Sequence, residues 1–319
     1  LVRALITGVT GQDGSYLAEQ LSADGWEVAG LIRGQANPKR AWIAALVPGL
    51  RLVDGDLLDQ SSLQRALADV RPDVVFNLAA ATFVGMSWQQ PTVMSETTGM
   101  GVLRMLEAIR ATDPGIVMVH ASSSEMFGCA DTPVQDERTP LRPVSPYGVA
   151  KTFAHHCAVT YRASHGLRVS TVIMFNHESP RRSAEFVTRK VTTAAAAIAA
   201  GTQDKLLLGR LEPRRDWGWA PDYMRALPLV AAAEPGDWVI ATGQSHSVAD
   251  LCAAAFAEAG LDWRDHVVSD TGLHRPSELW SLRGDPARIR RDLGWEPQVM
   301  FADVVRRLMT HDLEAARSA

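Results

Sequence analysis

The stretch that most narrows the fold is Val2 to Gly14. A short apolar run ends in Gly8, Gly11 and Gly14 follow at GxxGxxG spacing, and the helical pattern SYLAEQLSADG comes next. Glycines at a strand-to-helix turn let the backbone approach a pyrophosphate at a helix N-terminus, where unpaired N–H groups and the helix dipole favour an anion. Glycine turns are common, but here strand, turn and helix arrive in the required order, and Trp26 to Ile32 reads as a second buried strand. Dinucleotide binding is therefore expected.

The next segments continue the alternation. At the end of the second strand stands Arg33, with Lys39 and Arg40 nearby, where an acidic residue would bind the 2′-hydroxyl of NAD. A cation there suits a 2′-phosphate, so NADP is favoured over NAD. RLVDGDLLD gives a third strand ending at Asp56 and Leu57, an expected adenine contact, and DVVFNLAAA a fourth, whose Ala79, Ala80 and Ala81 let a cofactor lie close to the backbone. Pro91 to Ile109 reads as one helix, and IVMVHA as a fifth strand. Strands alternating with helices predict an α/β Rossmann-type fold, a doubly wound parallel sheet. Ligands in such sheets sit at the carboxyl ends of the strands. Gly8, Ala79, Ser123 and Asn176 all follow strand-like runs and should converge on one edge.

Length and charge bound the function. A chain of 319 residues with 46% hydrophobic content is globular, and its net charge of −4 without a long basic run lacks the electrostatic footprint of a nucleic-acid binder. Cys129, Cys157 and Cys252 are scattered, with no zinc spacing, so no metal is expected. No apolar run is long enough to span a bilayer, and none resembles a leader, so a cytoplasmic protein with no membrane partner is expected.

The chemistry is carried by VHASSSEMFG and SPYGVAK. The first places Ser123, Ser124 and Glu125 just after a strand; the second places Tyr147 and Lys151 at the start of a helix. Four residues apart, Tyr147 and Lys151 share one helix face. The ammonium is expected to lower the phenol's pKa, which makes Tyr147 a candidate base. Further on, NHESPRR is dense in polar groups, and Arg210, Arg214, Arg215 and Arg275 would grip a diphosphate if they lie in a cleft. Trp217 and Trp219 are read as core, and His155, His156 and His165 as helix-surface residues. Residues 1–175 are expected to form the cofactor domain with the catalytic residues. Residues 176–319 should form mainly a smaller, interleaved α/β substrate lobe, with some segments returning to the Rossmann core.

The segments ITGVTGQDGSYLAE, FVGMSWQQP, SSSEMFG, SPYGVAK, FNHESPRR, FVTRKV, RRDWGWAPDY, ATGQSHSV and LGWEP run through nearly the whole chain. In that order they resemble the extended short-chain dehydrogenase/reductases, and within them the GDP-mannose 4,6-dehydratases. The resemblance implies a lyase that oxidises a GDP-sugar at C4, eliminates water across C5 and C6, and returns the hydride to C6 of the 4-keto-6-deoxy product. It gives Ser123 the place of a threonine that binds the 4-hydroxyl, Glu125 that of the acid/base, Tyr147 the base and Lys151 its partner at the nicotinamide ribose. Gln12, Asp13, Leu78, His177 and Arg182 join the cofactor positions. Thr82, Asn176, Val187, Lys190, Gly209, Arg215, Arg275 and Glu278 fall at nucleotide-sugar positions.

The chain also departs from that pattern. IRGQANPKRAW is a shorter loop with Gly34 at the second arginine, so a homodimer through the helices around 97–111 and 148–165 is expected rather than a tetramer. Gly209-Arg210, Trp280 and Ala81-Thr82 stand where other residues are usual, changes that bear on base and sugar more than on reaction type. Two other readings compete. A 4-epimerase or 4-keto reductase of the same fold would leave Glu125 without a role, and a non-catalytic dinucleotide-binding regulator would have no use for Tyr147 with Lys151.

Overall fold

In the computed structural model, which describes residues 1–34, 36–274 and 277–318, the first half of the chain alternates strand and helix. β1 (Arg3–Thr7), α1 (Gln12–Ala23), β2 (Glu27–Ile32), α2 (Arg40–Leu46), β3 (Arg51–Asp54), α3 (Gln60–Val70) and β4 (Val74–Asn77) follow one another. Next come α4 (Val84–Gln89), α5 (Pro91–Met94), α6 (Gly101–Thr112), β5 (Val117–Ser123), α7 (Pro146–His165) and β6 (Val169–Met174). The strands then shorten: β7 (Asn176–Glu178), α8 (Val187–Ala199), β8 (Leu206–Leu208), β9 (Arg214–Arg215), β10 (Trp217–Trp219) and α9 (Ala220–Ala232). The chain closes with β11 (Asp237–Ile240), β12 (His246–Ser247), α10 (Val248–Glu258), β13 (Val267–Ser269), α11 (Ala287–Leu293) and α12 (Phe301–Ser318).

Seven strands pair in the order β11-β6-β5-β4-β1-β2-β3, every neighbour parallel. The doubly wound parallel sheet expected from the sequence is the architecture observed. β4 and β6 are buried along their whole length because helices cover both faces of the sheet. One apolar layer joins Leu17, Val119 and Met224 from α1, β5 and α9; the opposite layer joins Leu63, Leu106 and Met118 from α3, α6 and β5. Strand order reverses between β1 and β4, where a ligand crevice opens beyond the strand ends. β11 lies past residue 236 yet completes the sheet beside β6, so the C-terminal half is threaded back into the core.

The helix expected over Pro91–Ile109 is broken. α5 passes into α6 through a π-helical turn at Ser95–Met100. Gly99 and Gly101 weaken the α-helical preference there, and both pack tightly. A Cβ on Gly101 would lie 2.9 Å from Leu57 Cβ, and one on Gly99 would lie 3.2 Å from Phe153 Cδ1.

Outside the large sheet, β7 pairs with β10, β8 with β13, and β9 with β12. Leu206 and Leu208 of β8 and Trp217 of β10 pack with Val191, Leu251 and Phe256 into a second core. Trp217 is 1% exposed and stacks on Phe301 at 5.8 Å, so the core reading of that tryptophan holds.

Candidate active site

Gly8 sits at φ +72°, and a Cβ on it would come within 2.9 Å of the Ala79 backbone. The turns after β1 and β4 therefore touch. Thr7 fixes them: its Oγ1 accepts the N–H groups of Leu78 (3.1 Å) and Ala79 (3.0 Å) and donates to Asn77 Oδ1 at 2.9 Å. At Gly14 a Cβ would strike Gly8 O at 2.3 Å, whereas at Gly11 it would meet only Gly8 O at 3.2 Å. The outer side of the turn is thus open beside the first turn of α1, whose N-cap, Gly11, supplies no side-chain cap. A pyrophosphate fits that cradle.

Asp13, in that first turn, points to the loop behind β6. His177 Nδ1 donates to Phe175 O at 2.7 Å and Nε2 faces Asp13 Oδ2 at 3.0 Å. With an acceptor at each ring nitrogen, the imidazolium is the form that satisfies both. Burial alone would lower the His177 pKa, but the Asp13 carboxylate raises it. Burial pushes Asp13 up, yet the His177 charge and the hydrogen bonds from His177 and Gln12 bring it down to about 2. Gln12 Nε2 donates to His177 O (3.1 Å), and Gln12 Oε1 accepts from Ser179 Oγ at 2.7 Å. The motifs GQDG and FNHESPRR are one contact surface.

A cleft of about 380 Å³ opens next to this junction. Ser123, Glu125, Tyr147 and Lys151 line it together with Asp13, Leu78, Thr82, Asn176, His177, Arg182, Val187, Lys190, Gly209, Arg215 and Glu278. Ser123 ends β5, and its hydroxyl accepts the Glu125 N–H at 3.3 Å, which starts a tight turn and holds the carboxylate half-buried at the strand's end. Tyr147 and Lys151 enter on α7, started by the Ser145 cap on Gly148 N–H (3.1 Å) and by Pro146 in the first turn.

The phenol departs from the sequence expectation. Burial pushes Tyr147 up to about 12, the Ser123 hydroxyl acts in the opposite sense and the Glu125 charge adds to the rise. Lys151 does not pull it down. Burial lowers Lys151 itself to about 8, and its Nζ donates to Ala121 O at 2.7 Å, 5.9 Å from the Tyr147 ring centre.

Among the lining residues, Lys190 Nζ donates to Leu207 O at 2.7 Å, and Arg215 donates to Leu279 O at 2.7 Å and reaches Glu278 Oε1 at 3.4 Å. Arg215 is buried, while Arg210 is exposed at the cleft's rim and lies 5.5 Å over the Trp280 ring. Arg275 lies outside the described residues. Gly8, Ala79 and Ala80 follow the ends of β1 and β4, and Gly11, Gln12 and Gly14 start α1; none of them is among the cleft's lining residues. Arg33 is exposed after β2, Asp56 follows β3, and the Leu57 side chain is 5% exposed in the core, so at that pair Asp56 is the outward side chain.

His155 is not a surface residue. It is 7% exposed and shares a hydrogen bond with Ser122 Oγ at 3.1 Å between α7 and the sheet; His156 and His165 are exposed. Phe83 and Phe186, the first residues of FVGMSWQQP and FVTRKV, also line the cleft, a placement that the sequence did not assign them; each sits at the N-cap of a helix, α4 and α8. Among the described residues no cluster of His, Cys, Asp and Glu could hold a metal ion, and no helix is long and apolar enough to cross a membrane.

A family model described as GDP-mannose 4,6 dehydratase matches residues 5–308. GDP-mannose 4,6 dehydratase 1 of Arabidopsis thaliana is 43% identical over 98% of this chain and 90% of its own length. The GDP-mannose 4,6-dehydratase of Vibrio cholerae is 38% identical over 99% of this chain and 94% of its own. Among solved structures, a dTDP-glucose 4,6-dehydratase from Streptomyces venezuelae with NAD bound superposes with a TM-score of 0.87 at 28% identity, covering 99% of this chain and 98% of that one.

Proposed function

The chain belongs to the GDP-mannose 4,6-dehydratase family, and we infer that it removes water from GDP-mannose to give the 4-keto-6-deoxy sugar. The observation that carries this reading is the half-buried carboxylate of Glu125 in the same cleft as Tyr147 and Lys151. A plain oxidoreductase or an epimerase needs only the last two.

The cofactor is a nicotinamide dinucleotide, and NADP is the form we propose. Arg33 is exposed where the adenosine ribose would lie, and a guanidinium there suits a 2′-phosphate. The open turn at Gly11 would take the pyrophosphate, and Lys151 the nicotinamide ribose. The chemistry supplied by a bound nicotinamide is hydride storage: C4 of the sugar gives up a hydride and C6 later receives it.

The protein's own groups move the protons. Burial keeps Tyr147 a neutral phenol, with the Ser123 hydroxyl the neighbour that favours ionisation; the positive charge of a bound oxidised nicotinamide would favour the phenolate further, and in that form Tyr147 takes the proton of the 4-hydroxyl. The resulting ketone acidifies the C5 proton, which Glu125 removes and passes to the departing C6 hydroxyl so that water leaves; C5 regains a proton when C6 is reduced, which balances the one Tyr147 took from the 4-hydroxyl. Asn176, Val187, Lys190, Arg215 and Glu278 line the same cleft, and we assign them to the nucleotide diphosphate. We further propose a homodimer built on α6 and α7 with the segment before them.

The test is incubation with GDP-mannose and a catalytic amount of NADP⁺, without reductant, with NAD⁺ in parallel, followed by mass spectrometry of the nucleotide sugar. Loss of one water, faster with NADP⁺, is expected. An unchanged mass would set aside GDP-mannose dehydration.

A further inference from the structure

The cleft wall mixes polar and apolar side chains, and among the latter two half-buried phenylalanines meet. Phe83 comes from the turn after β4 and Phe186 from the loop before α8, and their rings meet edge to face at 5.8 Å, 75° apart. The contact joins the turn that follows β4 to the loop that leads into α8. Each ring also packs on a second cleft residue. The Arg182 guanidinium lies 3.7 Å over the Phe186 ring, and the Phe83 ring folds over Gly85 so closely that a Cβ there would be 3.0 Å from Phe83 Cζ.

On the dehydratase reading, on which a role for these rings depends, an apolar wall at this point answers a problem set by the chemistry. Once water has left, the sugar carries a C5=C6 double bond conjugated to the C4 ketone, and C6 is electrophilic. A water molecule reaching C6 would add there, its oxygen bonding C6 and its proton passing to C5, which restores the 4-keto hexose and undoes the elimination. Polar walls hold water in place, whereas apolar ring edges offer it no partners, and closing a site to water suppresses such side reactions. We propose that the Phe83–Phe186 pair is a water-excluding gate over the sugar, positioned to keep the unsaturated intermediate from being rehydrated before it is reduced.

The test uses GDP-mannose carrying carbon-13 at C6, turned over by the NADP-loaded enzyme in oxygen-18 water, with recovered hexose read by the isotope shift on the C6 resonance. That position separates rehydration from ordinary exchange of the ketone oxygen at C4. In the wild type the C6 oxygen of recovered hexose should stay almost unlabelled; Phe83→Ala and Phe186→Ala should raise its label severalfold for each product formed. Should the alanine variants not fold, Phe83→Leu and Phe186→Leu keep apolar bulk without the edge-to-face contact and should show a smaller rise. Variants that turn over slowly with C6 still unlabelled would overturn the gate. If the wild type loses no water from GDP-mannose at all, the dehydratase reading is what fails, and the gate falls with it.

Discussion

On the proposed mechanism Glu125 decides between reaction types, because oxidation at C4 needs only Tyr147 and Lys151. A glutamine there keeps the shape and the backbone turn started by Ser123 but cannot accept a proton from C5. Glu125→Gln should cut water loss by roughly 10² to 10⁴-fold, the range a positioned acid/base group supplies, while oxidation at C4 persists. Absorbance of reduced nicotinamide should then build up in a single turnover while the sugar's mass stays constant. Full turnover in that variant would remove Glu125 from the mechanism. The four catalytic candidates could be read from the sequence because two short motifs carry them and each motif sits at the end of one element. Their proton affinities could not. The phenol's pKa follows from how completely the fold buries it, and Lys151 spends its nearest hydrogen bond on Ala121 O rather than on the phenol's charge. Nor could the Asp13–His177 pair be read, since its partners lie 164 positions apart.

At the scale of elements, the glycine turn was legible because its constraints are local: a strand must stop, the chain must turn in its narrowest space, and a helix must start. The three glycines do different work there, which separates stability from binding. A Cβ at Gly14 would lie 2.3 Å from Gly8 O and 2.7 Å from Val9 Cα, both backbone atoms that cannot give way without moving β1. Gly14→Ala should therefore destabilise the fold by about 1–3 kcal/mol, the usual range for overpacking, seen as a lowered Tm. A Cβ at Gly11 meets only one atom, at 3.2 Å, and projects into the open side of the turn. Gly11→Ala should fold with nearly wild-type Tm yet bind NADP more weakly in a calorimetric titration. Equal effects of the two substitutions on Tm would show that the turn is not an open cradle. The π turn at Ser95–Met100 and the strands outside the large sheet, only two or three residues long, were not legible. Their pairing is set by distant partners such as Asn176 with Trp217, so they leave no periodic signal in the local sequence.

At the scale of the molecule, α7 has two faces with different fates. Tyr147, Lys151, Ala154 and Ala158 are buried against the sheet, while Val149 and Phe153 remain 54% and 43% exposed. Val93 on α5 and Trp88 on α4, elements packed against the same helix, are 53% and 39% exposed. A monomeric surface helix turns polar residues outward, and a cluster of large apolar side chains facing water marks an interaction surface. A second copy seated there would press on the helix that carries Tyr147 and Lys151. Phe153→Glu places a charge in the middle of that patch, beside Gly99. In a dimer interface this leaves an unpaired carboxylate out of water, a strongly unfavourable arrangement. In a monomer it merely exchanges one exposed side chain for another. Sedimentation should accordingly find a dimer for the wild type and a monomer for Phe153→Glu, with far-ultraviolet dichroism unchanged. The wild-type Tm should rise with protein concentration, because association stabilises only the folded chain, and the variant's should not. A wild-type protein that sediments as a monomer at every concentration would mean that these side chains face water in solution and that α7 holds Tyr147 and Lys151 in place without help from a partner.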